Sequence, residues 1–383
     1  MVTIMTHSAV KTKRHLFLSA FFGFFKKNTV VCIAFFAALL TSFIVPPDKN
    51  YLGYFDLKTL TCLFCVLSVV CALKNINFFY MLARRVVIVF KTARNSVLAL
   101  VYITFIGSML IANDMALLTF LPLGYFVLSS SGMKKYMSFT FIMQNIAANL
   151  GGMLTPFGNP QNLYLYTKFD IPNGEFIKIM APPFTISILL ITLCVLCFVK
   201  SEPLSLEGEP LRFEPIRCAV YLALFAFSII IVFRIIPFEL GLIVPLAILF
   251  SDRKALADVD YGLLLTFVFF FIFAGNMARI GAVRGIFSYL MQKNTLLYSV
   301  ISCQFISNVP SAILLSQFTE NYRELLIGVN IGGVGTLISS LASLITFREY
   351  ARRDPQNVGG YIIRFSAFNF AFLIILTVIM TVL

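Results

Sequence analysis

The sequence predicts an all-α polytopic membrane protein, built from two inverted-topology repeats that carry re-entrant helical hairpins and interrupted membrane helices. Three observations predict it. Of 383 residues, 59% are hydrophobic and only 12% charged, about half the usual ~25%, so most of the surface must face something other than water. Apolar runs of the ~17–25 residues that a bilayer requires recur along the chain. Their order repeats once, with the crossing direction reversed.

The elements follow in order. Lys11, Lys13 and Arg14 precede an apolar run, 16–25, that Lys26 and Lys27 close, where a signal peptide would need small residues. Residues 15–25 therefore read as an interfacial amphipathic helix retained on the protein. Spans are expected near 28–46, 57–73, 176–199, 216–234, 261–277 and 361–382, with a short one at 237–250. Two further apolar spans, 139–167 and 324–347, are interrupted. Stretches 96–128 and 295–318 each contain a polar break, at Asn113-Asp114 and Ser307-Asn308, and read as hairpins that return to the side they entered from. The organisation is then an N-terminal interfacial segment (1–27), a first membrane repeat (28–199), a connector (200–215), a linking span (216–236) and a second inverted repeat (237–383).

Nine crossings with the N-terminus inside place 21 of the 30 Lys and Arg on the inner side and the C-terminus outside. The net charge of +13 is thereby a topology signal with attraction to anionic lipid, and no nucleic-acid partner is expected. The eight cysteines lie in or beside apolar segments, including the Cys62/Cys65 and Cys194/Cys197 pairs, and read as packing residues because neither pair has a histidine or second dithiol nearby. The only histidines, His7 and His15, precede the first span. That leaves no intramembrane His for a proton relay or metalloenzyme, and an enzyme is not expected.

The repeat is visible residue by residue. Phe55-Asp56-Leu57 and Val259-Asp260-Tyr261 open corresponding spans. Basic amphipathic segments follow at 78–91 and 278–293, then a hairpin with Asn113 or Asn308 at its tip. A Gly-Gly span comes last: Asn149 to Gly152 with Thr155, against Asn330 to Gly333 with Thr336. A constant offset of 181 also pairs Asn159 with Ser340 and Asn162 with Ser343.

The segment 151–162, GGMLTPFGNPQN, cannot stay helical, since Pro156 and Pro160 remove donors and three glycines loosen the backbone. Unwinding inside a bilayer is tolerated where protein or a wet cavity satisfies the freed groups. Free carbonyls there suit a cation, and the restarted helix offers N–H groups to an anion. Packing alone explains a Gly-Gly pair such as Gly332-Gly333, but not two prolines with two Asn and a Gln. Asp114 is the sole acidic residue deep in the hairpins and has two readings, ion coupling or capping of the helix that follows it.

The segments ANDMALLTFLPL (112–123), NLGGMLTPFGNPQNL (149–163), SNVPSAILL (307–315) and NIGGVGTLISSLAS (330–343) resemble the ion-transporter superfamily. Within it they are similar to the citrate-transporter-like permeases, relatives of the divalent anion:sodium symporters and of the arsenite and sodium/proton antiporter branch. The resemblance implies inverted repeats whose hairpin tips meet broken spans, a homodimer and elevator-type alternating access. In the symporters each tip carries Ser-Asn-Thr, the Asn touching a substrate carboxylate. Here the tips read Ala112-Asn113-Asp114 and Ser307-Asn308-Val309, which keep both Asn and lose three of the four hydroxyls.

The functional expectation is a secondary active transporter in the plasma membrane, coupled to sodium or protons and needing no other cofactor. Its cargo is a small anion, a di- or tricarboxylate such as citrate or a C4-dicarboxylate. The expected site comprises Asn113, Asp114, Thr155, Gly158, Asn159 and Asn162 from the first half, and Ser307, Asn308, Thr336, Ser339, Ser340 and Ser343 from the second. A sodium is expected near Asn113, Asp114, Gly158 and Asn308. The alternative is an arsenite exporter or a sodium/proton antiporter of the same superfamily, with a channel more remote.

Overall fold

The computed structural model describes residues 29–203 and 214–383; the interfacial helix expected at 15–25 and most of the connector lie outside them. These residues are almost entirely helical, with one isolated bridge pairing Thr92 and Pro203. In chain order the α-helices are α1 Thr29–Ile44, α2 Leu57–Asn75, α3 Phe78–Ile88, α4 Ala93–Leu110, α5 Asn113–Ser130, α6 Met137–Gly151, α7 Pro160–Lys168, α8 Asn173–Phe198 and α9 Pro215–Val232. They continue with α10 Ile243–Ser251, α11 Arg253–Ala257, α12 Tyr261–Arg279, α13 Gly281–Ile306, α14 Asn308–Leu315, α15 Tyr322–Ile331, α16 Leu341–Arg353 and α17 Val358–Val382.

Among the described residues, α2, α4, α8, α9, α12 and the segment Pro355–Val382 are each long and apolar enough to cross a membrane. Exposed apolar residues such as Leu189 and Leu193 on α8, Phe305 on α13 and Ile363 and Ile374 on α17 leave a surface suited to lipid. The chain is a multi-pass membrane protein. The short span at 237–250 divides into a 3₁₀ turn, Phe238–Leu242, and the nine-residue α10. Together these extend roughly 23 Å, less than the ~30 Å of hydrocarbon.

The paired openings of the two halves act alike. Asp56 accepts from Thr59 N at 3.0 Å to cap α2, and Asp260 accepts from Leu263 N at 2.9 Å to cap α12, each occupying donors that the first helical turn leaves free. Both polar breaks interrupt the helix where expected. Helices α4 and α5 pack on each other and are separated only by Ile111-Ala112, and α13 turns into α14 at Ser307. Helix α13 also contains a kink at Asn294, where φ is −166° and ψ 93° and the side chain accepts from Leu297 N at 2.8 Å. The kink separates the basic amphipathic arm from the apolar arm of the hairpin.

Helix α6 is the centre of the bundle. Fourteen of its 15 residues are buried, as α4, α5, α8, α15, α16 and α17 all pack against it. On the opposite side α1 lies along α12. There Asn276 donates to Thr41 and Ser42, both at 3.3 Å, the kind of interhelical polar contact that replaces a hydrophobic driving force inside lipid. At the end of this pair Arg279 grips the two carboxylate oxygens of Asp48 at 3.0 and 2.7 Å, and that guanidinium holds the Asp48 carboxyl below its ordinary range. The buried Cys62 and Cys65 sit on α2, where Cys65 Sγ donates to Gly241 O at 2.9 Å.

Candidate functional site

Both predicted interruptions are present. Helix α6 ends at Gly151, passes through a 3₁₀ turn at Gly152–Leu154 and restarts as α7 at Pro160. Helix α15 ends at Ile331 and the chain restarts as α16 at Leu341. The first break folds back tightly enough that glycine is required: a Cβ on Gly158 would lie 2.4 Å from Gly152 O. In the second, Gly335 has φ +126° and a Cβ there would lie 2.1 Å from Gln304 Oε1, so both the backbone region and the space exclude a side chain.

Carboxamides close the first break. Asn162 Nδ2 donates to the carbonyls of Gly152, Met153 and Thr155 at 3.2, 3.2 and 3.3 Å, taking up acceptors that unwinding releases. Thr155 Oγ1 donates to Met109 O of α4 at 2.7 Å. Asn159 Nδ2 donates to Asn149 O and to Asn330 Oδ1, both at 3.3 Å. Asn330 Nδ2 in turn donates to Asn162 Oδ1 at 2.6 Å and to Leu326 O at 2.8 Å. Asn330 thereby joins the second half to both Asn residues of the first.

The second break is closed by hydroxyls and by one glutamine. Gln304 of α13 accepts from Thr336 N at 2.9 Å, its carbonyl accepts from Thr336 Oγ1 at 3.0 Å, and its amide donates to Gly332 O at 3.0 Å. Ser339 Oγ donates to Gly333 O and Thr336 O at 2.9 and 2.8 Å. Ser340 caps α16 by accepting from Ser343 N at 3.2 Å, and the Ser340 and Ser343 hydroxyls lie 3.0 Å apart.

The two hairpin tips share one local device: Asn113 Oδ1 accepts from Asp114 N at 3.0 Å, and Asn308 Oδ1 accepts from Val309 N at 2.9 Å. They are held differently. Asn113 Nδ2 donates to Asn149 Oδ1 at 3.1 Å. Ser307 has φ +76°, costing on the order of 1–3 kcal/mol, and Ser339 O pins that turn by accepting from Asn308 N at 2.9 Å and from Ser307 Oγ at 3.3 Å. The second tip reaches Gly333, where a Cβ would lie 3.1 Å from Asn308 Nδ2 and 3.4 Å from Asn149 Oδ1, the acceptor that Asn113 of the first tip uses.

The expected residues therefore belong to one connected region, although Thr336, Ser340 and Ser343 serve mainly to close and cap the second break. Asp114 keeps both of its readings: the N-cap position of α5 is Ala112, which makes no side-chain cap, while the Asp114 carboxylate faces the backbone N–H groups of Asp114 and Met115 in the first turn and its Oδ1 is buried without a hydrogen-bond partner. Asn159 Oδ1 and Gln161 Oε1 are also buried without partners. All three are acceptors, and a buried acceptor left unmade costs about 1–3 kcal/mol. Such oxygens call for a cation, a proton donor or water. Asn308 Nδ2 donates to no protein group among the described residues, while its oxygen is occupied.

Asn149, Asn330 and Gln304 belong to this network and are missing from the expected site. The signal was present for the two asparagines, which stand at the same offset of 181 and two residues before each Gly-Gly pair.

Buried unpaired oxygens beside two unwound helices, inside a multi-pass bundle, define a membrane transporter. The comparisons carry the identification further: residues 16–322 match the citrate transporter family, and the chain belongs to it. An uncharacterized transporter of Methanocaldococcus jannaschii is 34% identical over 312 residues, covering 81% of this chain and 85% of that protein. The inner membrane protein YbiR of Escherichia coli is 29% identical over 321 residues, covering 80% and 84%. The family match takes in both hairpin tips and the first break and ends at Tyr322, where the second broken span begins.

Proposed function

We propose that this protein is a secondary active transporter of a small anion, a di- or tricarboxylate such as citrate, coupled to sodium or protons. The observation that carries this reading is the coexistence of two kinds of unused group in one buried network. The Asn308 amide is a free donor for a carboxylate, and the unpartnered oxygens of Asp114, Asn159 and Gln161 are free acceptors for a cation. A carrier that moves an anion with a cation needs both, and interrupted helices supply them at the membrane midplane. The sodium site expected near Asn113, Asp114, Gly158 and Asn308 shares Asp114 with this acceptor set, and its Gly158 adjoins Asn159, while the side-chain oxygens of Asn113 and Asn308 are already taken. The citrate transporter family supports the carboxylate assignment.

The wider proposal is a plasma-membrane homodimer with its N-terminus inside and C-terminus outside, whose inverted repeats carry re-entrant hairpins and broken spans through an elevator-type cycle. Asp114 favours one second reading, a sodium/proton antiporter or arsenite exporter, because it places a carboxylate where a symporter-like tip would hold a hydroxyl.

The test combines thermal stability with flux. Purified wild-type and Asp114→Asn proteins are heated with citrate, succinate, malate, sulfate and arsenite, each in sodium and in choline. Stabilisation by a carboxylate only in sodium is the expected result. Asn113→Ala and Asn308→Ala in proteoliposomes should lose uptake at least tenfold while still folding, and full transport by either would sink the site. Stabilisation by sodium or pH alone, erased in Asp114→Asn, would put the antiporter reading first.

A further inference from the structure

Away from the midplane network, a cavity of about 370 Å³ opens where α6 and α17 begin and α16 ends, lined by Lys134, Lys135 and Arg364 among others. Lys135 is committed to Glu202 at 2.6 Å, and this pairing holds the Glu202 carboxyl below its ordinary range. Lys134 and Arg364 form no ion pair among the described residues. The one acid in the wall, Asp354, is already engaged by Tyr350 Oη at 3.0 Å and by the Asn357 amide at 3.0 and 2.9 Å. Those neutral donors leave Asp354 its negative charge, so the wall sets Lys134 and Arg364 against a single carboxylate.

Two hydroxyls in the same wall are also unused. Ser138 is 5% exposed and Tyr361 1%, and Ser138 Oγ and Tyr361 Oη are buried with no hydrogen-bond partner. Ser138 lies in the first turn of α6 and Gly360 in the first turn of α17. Neither helix has a side-chain cap, and each continues a 3₁₀ turn, Lys134–Tyr136 or Pro355–Asn357, so both begin beside the cavity, where a helix start favours an anion. Cations, free hydroxyl donors and two uncapped helix starts form a donor set for an anion, and its multiplicity suits a multivalent one.

We propose that this cavity binds a phosphate-type oxyanion, supplied either by a soluble phosphate or by the headgroup of an anionic lipid. Lys134 and Arg364 provide charge, while Ser138 and Tyr361 provide the inner donors. A bound oxyanion would tie the start of α6 to that of α17, beside the end of α16. Both α6 and α16 run from here to the interrupted spans, so occupancy would bias how those spans move. The site rests on its own lining and does not require that the transported cargo be an anion.

The test is equilibrium binding to the full chain in detergent. Inorganic phosphate is titrated against thermal stability, with chloride as the ionic-strength control, and phosphatidic acid is compared with phosphatidylcholine by native mass spectrometry. The expected result is saturable stabilisation by phosphate that chloride does not reproduce, weakened at least tenfold in the K134Q/R364Q double variant and several-fold in S138A. Retention of phosphatidic acid over phosphatidylcholine, displaced by phosphate, would assign the lipid source. Phosphate binding without lipid preference would assign the soluble source. Absence of saturable binding by both probes, or equal binding by the double variant, would overturn the proposal. Phosphate binding retained in Asn308→Ala would separate this site from the midplane network, and its loss there would overturn the assignment to the cavity.

Discussion

The two interrupted spans solve the same geometric problem with different chemistry. Between α6 and α7 the break carries Pro156 and Pro160 and is closed by carboxamides, and its Asn159 and Asn162 reach Asn330 in the other half. Between α15 and α16 there is no proline; Gln304 of the adjoining hairpin and the hydroxyls of Thr336, Ser339 and Ser340 close the break locally. The reach of the side chains decides the difference. An Asn amide offers donor and acceptor on a stem long enough to cross between elements, whereas a Ser hydroxyl mostly serves backbone within a turn or two. The first break is cross-linked to Asn330 in the second half of the chain, and the second is tied to the adjoining helix α13.

Three substitutions would break or sharpen this contrast. Asn330→Ala should have the largest effect, since Asn159, Gln161 and Asn162 all lose a partner, at about 1–3 kcal/mol for each buried group left unpaired. A pronounced fall in melting temperature and a loss of flux beyond tenfold are expected; an unchanged Asn330→Ala protein would remove the cross-link from the account. Gly335→Ala comes next. It forces a side chain at φ +126° against Gln304, which should cost about 1–3 kcal/mol, and combining it with Gln304→Ala should recover part of the loss measured by denaturation. Ser340→Ala should be mildest, at about 1 kcal/mol for a lost N-cap. Should it prove as damaging as Asn330→Ala, the second break would not be a local closure.

Much of this was legible in the sequence because it depends on local rules. The span expected at 57–73 is helix 57–75, that at 261–277 is helix 261–279, and the breaks fall beside Asn113 and at Ser307, since apolar length and helix-stopping residues fix both. Helix α8 starts earlier than expected, at Asn173, and runs through Pro182 and Pro183, because its first turn depends on docking more than on hydropathy. The site was legible as a set of residues and less so as a network. Asn149 and Asn330 matched in register, but that Asn330 would grip Asn159 and Asn162 depends on how two distant segments close. Gln304 lies 32 residues before Thr336 with no counterpart at the matching place, so no periodicity could have found it.

The burial of α6 has a consequence for how the protein is made. A nascent helix carrying Gln144, Asn145 and Asn149 cannot be released into lipid at low cost, because those groups need partners. Helices α4 and α5 are synthesised first, and they supply acceptors for Gln144 at Thr104 Oγ1 and Phe120 O. The remaining partners come late: Asn145 meets Thr346 and Asn369, some two hundred residues further along. A ribosome that stops before Asn369 therefore leaves the centre of the bundle unfinished, which makes the last helix the step that commits the whole chain to its membrane form.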